Sequence, residues 1–252
     1  MAHQIATFLS ALTFFTRIRL PDSLGRMISH DTRLTDAVVW FPVVGLMIAI
    51  VPAGLWFVMA QVMPPELAAG LAVASALLLT GALHEDGFAD CADGLGATAD
   101  REKALEIMRD SRIGTYGAIA LIISVGLRWM ALASLSPIVG VAALLIAHSA
   151  SRSTITIAMK WSTYARTKGL GKMASGEVPD IDFAIAILLA FVAGLSFGQM
   201  AGIVAVLCGF IAGWLLLRCL RYRIGGYTGD GLGAIQQVSE ISIMIILAGF
   251  WT

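Results

Sequence analysis

The chain has 252 residues, is 58% apolar and 13% charged, and has a mean hydropathy of +0.83. That excludes an ordinary soluble domain, and a formal net charge of zero leaves no global field to attract nucleic acid. The three widely spaced cysteines, Cys91, Cys208 and Cys219, make neither a disulfide framework nor a Cys-x-x-Cys metal site.

In chain order, residues 4–16 are apolar and stop at Arg17, Arg19 and Pro21. The run is too short to span a bilayer and predicts an interfacial or re-entrant helix. With no basic n-region and no small-residue cleavage site at the amino terminus, no cleaved signal peptide is expected. Residues 20–36 form a polar loop. Apolar runs then predict seven transmembrane helices, over 37–62, 66–83, 117–135, 137–159, 181–198, 200–217 and 232–251. Pro64-Pro65 and Ser136-Pro137 mark tight turns. The expected fold is all-α, a single polytopic membrane domain over 1–252, without internal repeats. Every Lys and Arg outside these spans falls in 17–36, 84–116, 160–180 or 218–231, and the alternate turns carry none. The positive-inside rule makes the charged side cytoplasmic. Residues 98–110 predict a short cytoplasmic amphipathic helix, capped by Asp100, with Leu105 and Met108 on its apolar face and Glu106 paired with Arg109.

Chemistry concentrates after the second span. Glu85, Asp86, Asp90 and Asp93 follow Gly81-Ala-Leu-His84. If the helix continues, Asp86, Asp90 and Asp93 share a face within an arc of roughly 60°. Carboxylates so close repel unless a cation sits among them, and hard oxygen ligands favour Mg²⁺. The alternative is a solvated acidic loop. Downstream, Arg109 and Arg112 precede a glycine turn at Gly114, and an arginine offers a planar fork to phosphate oxygens. Gly225, Gly226, Gly229, Gly231 and Gly233 surround Asp230. Their exposed backbone N–H groups suit an anion nest at the start of the last span, or else form a flexible turn. Arg128 and Arg152 are the only cations inside spans, and Glu240 is the matching acid in the last one. Such residues are expensive in hydrocarbon and are functional or paired. Arg152, four residues after His148, binds a substrate phosphate or pairs with Glu240. Arg128 snorkels or pairs. His84 is either structural or a substrate contact.

These stretches resemble the cobalamin synthase family, the adenosylcobinamide-GDP ribazoletransferases. The resemblance runs through Gly81-Ala-Leu-His84, Asp86-Gly-Phe-Ala-Asp90, Asp93-Gly-Leu-Gly96 and Glu106-Ile-Met-Arg-Asp-Ser-Arg-Ile-Gly-Thr-Tyr-Gly117. It continues through Phe14-Phe-Thr-Arg17, Phe41-Pro-Val-Val-Gly45, His148-Ser-Ala-Ser-Arg152, Tyr164-Ala-Arg166, Gly169-Leu-Gly171, Gly225-Gly-Tyr-Thr-Gly-Asp-Gly-Leu-Gly-Ala234 and Ser239-Glu240. Glu85 stands where an apolar residue is usual, and Cys91 where a Thr is common. The resemblance implies that adenosylcobinamide-GDP and α-ribazole (or its 5′-phosphate) give adenosylcobalamin (or its 5′-phosphate) and GMP, in cobalamin biosynthesis at a bacterial inner membrane. It implies Mg²⁺ held by Asp86, Asp90 and Asp93, and Asp230 as a further catalytic carboxylate. The substrate contacts are His84, Arg109, Arg112, His148, Arg152, Arg166, Lys168, Gly229 and Glu240. A homo-oligomer is left open.

Other membrane enzymes of the diphosphate class use similar acidic spacing. A CDP-alcohol phosphotransferase would need Asp-Gly followed by Ala-Arg, but Ala89 is followed by Asp90. An aspartate-rich prenyltransferase expects a second aspartate-rich motif, and Asp230 stands alone. A transporter with a midplane site at Arg128, Arg152 and Glu240 would leave the acidic cluster and glycine loop unexplained.

Overall fold

The computed structural model describes residues 2–28, 33–166 and 176–251. Helix α1 (Ala2–Phe15) and the one-turn α2 (Asp22–Gly25) precede a 3₁₀ turn (Leu34–Trp40), which runs straight into α3 (Phe41–Met59). Then come α4 (Pro65–Thr80), α5 (Leu83–Ala97), α6 (Arg101–Ile107), α7 (Thr115–Ala133), α8 (Pro137–Trp161), α9 (Asp180–Ile224) and α10 (Gly229–Trp251). Among the described residues there is no strand, only an isolated bridge between Tyr164 and Tyr227.

Five helices are long and apolar enough to cross a membrane, or six if the bent pair α4–α5 counts as one span. The expectation of seven crossings is therefore not met by length and composition alone. The difference lies in α4, which is short, and in α9, which runs on as one element of 45 residues. Gln199 has non-helical angles (φ 50°, ψ −134°) at the place where sequence splits the two spans. The limbs on either side fold back on each other. Phe191 and Phe210 lie ring to ring, with centroids 5.6 Å apart. In a straight helix, at about 1.5 Å per residue, they would be nearly 30 Å apart. Gly194 and Gly202 allow the crossing, because a Cβ on Gly202 would strike the Gly194 carbonyl.

Helices α8 and α10 are the most buried of the apolar helices and form the centre of the bundle. A Cβ on Gly45 would strike the His148 carbonyl, so α3 lies directly on α8. At one end of the bundle Trp56 donates to the Pro137 carbonyl at 2.9 Å and Trp129 to the Glu66 carbonyl. The charged loops gather at the opposite end. There the Arg17 N–H donates to Leu79 O at 2.9 Å, Arg101 to Ile224 O at 2.9 Å, and Arg223 to Leu95 O at 2.9 Å. The last two place guanidinium groups on carbonyls at the C-terminal ends of α9 and α5, where the helix dipole favours a cation.

The amphipathic helix expected over 98–110 is α6. Asp100 caps it as expected, accepting from Lys103 N at 2.8 Å. Glu106 does not pair with Arg109; it takes Lys103, three residues earlier, at 2.9 Å. Either partner is one turn away, and the exposed pair contributes little stability.

Candidate functional site

The acidic stretch does not continue α4. Gly81 (φ 66°) and Ala82 (φ 55°) are both left-handed, and α5 leaves at 89° to α4. The Ala82 N–H returns to Leu77 O at 2.9 Å and the Gly81 N–H to Leu78 O at 3.3 Å, a Schellman end that closes α4. Asp86, Asp90 and Asp93 thus lie on a separate helix at the charged end of the bundle, beyond the bend that ends α4.

The three carboxylates differ in their surroundings. Asp93 is buried, and its oxygens accept from Gly114 N at 2.7 Å and Gly117 N at 2.8 Å. It caps the amino terminus of α7, satisfying N–H groups that have no partner within that helix. Gly114 and Gly117 leave it room, since a Cβ on either would strike the carboxylate. Sequence expects Asp93 on one ligand face with Asp86 and Asp90; in the structure both of its oxygens are engaged by the start of α7. Among the described residues, no group of three or more His, Cys, Asp or Glu side chains is placed to hold a metal ion.

Asp230 takes the position beside Asp86 and Asp90. It lies in the first turn of α10. Helix α5 meets it through Gly87, where a Cβ would come within 2.8 Å of the Asp230 backbone, and Gly233 faces His84 in the same way. Thr228 caps α10, its hydroxyl accepting from Gly231 N at 3.0 Å. The glycine segment is therefore helical from Gly229 onward; only Gly225 (φ 82°) is left-handed, closing α9. Gly229 is exposed with open space around it.

Arg166 pairs with Asp230 at 2.8 Å. The segment before it is pinned by Ala165 N to Tyr227 O at 2.8 Å and Tyr227 N to Thr163 O at 3.0 Å. One guanidinium thus faces three carboxylates. Burial first, then Asp230 and Asp86, push the Asp90 carboxyl up to about 7, against the opposing pull of Arg166. A cluster this short of positive charge fits a hard divalent cation. Mg²⁺ keeps several waters and needs only one or two protein carboxylates beside substrate phosphates, so a closed cage is not required. Arg109 and Arg112 are exposed. Arg112 forks onto Asp110, with Nε 3.0 Å from each carboxylate oxygen, and holds that acid down to about 2. Lys168 lies outside the described residues.

The other expected contacts point inward. Arg128 pairs with Glu85 and with Glu240, each at 2.9 Å, and all three are buried. Glu240 also faces His148 Nδ1 at 3.3 Å and Arg152 at 3.8 Å. Arg152 donates to the His148 carbonyl at 2.9 Å and lies over the Phe15 ring, which stacks on His84. Of the readings open for Arg128 and Arg152, each makes an internal pair. Sequence reasoning missed the part played by Glu85. The available signal was its position about 100° around the helix from Asp86, on the buried side. Gln236 and Gln237, adjacent in an apolar helix, belong to the same network and were also missed.

Fold and site together define a polytopic helical membrane protein with an acidic, arginine-flanked site at one end of its bundle. The profile of the cobalamin-5-phosphate synthase family matches residues 7–248, and the chain belongs to that family. It is 44% identical to an adenosylcobinamide-GDP ribazoletransferase of Bradyrhizobium diazoefficiens, over 87% of this chain and 85% of the relative. It is 39% identical to the enzyme of that name from Ralstonia nicotianae (96% and 94% covered), and 35% identical to that from Shewanella amazonensis (99% and 97%). No solved structure matches.

Proposed function

We propose that this protein is an integral membrane transferase that joins adenosylcobinamide-GDP to α-ribazole, or its 5′-phosphate, and releases GMP. The observation that carries this reading is family membership across nearly the whole chain, with relatives of that printed activity covered almost end to end. The site agrees with it. The ribose 3′-hydroxyl of the ribazole attacks the phosphorus next to cobinamide; the new P–O bond forms as the bond to GMP breaks. Asp86, Asp90 and Asp230 are the residues that would hold Mg²⁺, which when bound neutralises phosphate oxygens. Arg166, Arg109, Arg112 and Lys168 orient the diphosphate and counter the charge that grows on the leaving GMP. A carboxylate of the cluster takes the hydroxyl proton. Gly229 leaves backbone and space at the mouth of the site. His84, His148, Arg152 and Glu240 support the site from below. Labelled α-ribazole should enter the corrinoid fraction only when adenosylcobinamide-GDP is present; folded protein that never incorporates label refutes the transfer.

The bundle lies in a bacterial inner membrane, crosses it seven times with α4 and each limb of α9 counted as crossings, and faces its site to the cytoplasm. The one-sided distribution of Lys and Arg supports this. A Thr98→Cys variant should react with an impermeant thiol reagent only from the cytoplasmic side; labelling in intact cells contradicts the orientation.

Arg112→Lys should keep the fold and lose much of the rate, because an ammonium cannot reproduce the two-pronged contact. Steady-state kinetics decide: an unchanged kcat/KM would leave Arg112 only its exposed pair with Asp110.

A further inference from the structure

Helix α5 carries the acidic site, yet its direction is not inherited from α4. Two left-handed residues and an 89° bend separate them. Something else must set how α5 is turned about its own axis. Each residue turns the helix by about 100°, so fixing the side chain of Glu85 fixes where Asp86 points. Glu85 is buried and Asp86 is exposed.

Glu85 is held by α7 and α10 together. Its Oε1 accepts from Arg128 at 2.9 Å and from Gln237 at 3.1 Å. Gln237 is fixed in turn by the Ser124 hydroxyl at 2.8 Å. The other prong of Arg128 reaches Glu240 Oε1 at 2.9 Å. Glu240 Oε2 is itself held by Gln236 at 2.6 Å. Among the described residues, Arg128 makes the only ionic link between α5 and α10, the two helices that present Asp86, Asp90 and Asp230.

We propose that Arg128 is a positioning residue for the acidic site. By gripping Glu85 and Glu240 at once it sets the rotation of α5 against α10, and with it the distance of Asp86 and Asp90 from Asp230. The inference rests on the reading that those three carboxylates bind a divalent cation. A purely stabilising ion pair would affect melting but not the affinity of folded protein for the metal.

The test uses the full chain purified in detergent, with Mn²⁺ as the probe. Binding is read from loss of the free-ion paramagnetic resonance signal, and folding from the melting curve. Wild type should bind and Asp86→Asn should bind more weakly. Arg128→Lys offers a single ammonium that cannot grip carboxylates on two helices. It should weaken Mn²⁺ binding by roughly 10-fold or more, within the range for loss of an outer-sphere support. Glu85→Gln should weaken it in the same direction. Wild-type affinity in both Arg128→Lys and Glu85→Gln, with Asp86→Asn impaired, overturns the positioning role and leaves the metal reading standing. Wild type that binds no Mn²⁺, or Asp86→Asn that binds it normally, overturns both. If Arg128→Lys fails to fold, Glu85→Gln decides alone, since it keeps the side-chain volume and the Arg128–Glu240 pair.

Discussion

Asp86→Asn, Asp90→Asn and Asp230→Asn should each raise the Mg²⁺ concentration needed for turnover by roughly 10–100-fold, with part of the activity restored by excess metal. A neutral amide is a weaker ligand for a hard cation, while Asn and Asp have similar volume and helix propensity. Asp93→Asn should behave differently. Its carboxylate is spent on the Gly114 and Gly117 N–H groups. The change should cost about 1–2 kcal/mol of stability, as loss of a helix cap does, and leave the metal dependence of the folded fraction unchanged. Metal titrations and melting curves on the four variants separate the two behaviours. A shift in metal dependence in Asp93→Asn as large as in Asp86→Asn and Asp90→Asn would return Asp93 to the ligand set.

Gly87→Ala should be nearly as damaging although it removes no functional group. A Cβ at that position meets the Asp230 backbone, which cannot swing aside as a flexible side chain would. Helices α5 and α10 must separate, and a displacement near 1 Å at a reacting centre costs on the order of 100-fold in rate. Gly126→Ala on α7 is the control, because nothing lies within 4 Å of its added methyl. It should be neutral or slightly stabilising through helix propensity. Equal activity of both variants, with equal melting, would show that the approach at Gly87 does not set the site.

Much of this was legible in the sequence, and the failures have physical causes. Apolar run length located the helices, and the turn at Gln199 falls where the two limbs were expected to part. Asp100 reads as a cap because a capping side chain acts within one helical turn. Helical periodicity places Asp86, Asp90 and Asp93 on one face, but says nothing of what stands opposite each. Only the tertiary fold brings the α7 amino terminus to Asp93 and Asp230 to the other two. The break after α4 was signalled by Gly81, whose left-handed angle ends the helix; its direction depends on contacts far away in sequence. At Glu85 an apolar residue is usual in the family the chain resembles. Arg128 gives Glu85 a partner that no local pattern reveals.

The most direct measurement follows GMP release by purified protein given adenosylcobinamide-GDP and α-ribazole 5′-phosphate across a Mg²⁺ titration, with Asp90→Asn alongside. Release should require both substrates and metal, give one GMP for each corrinoid product, and follow a curve displaced to higher Mg²⁺ in the variant. GMP release without the ribazole substrate, or a variant that follows the wild-type Mg²⁺ curve, would contradict the proposed metal-dependent transfer.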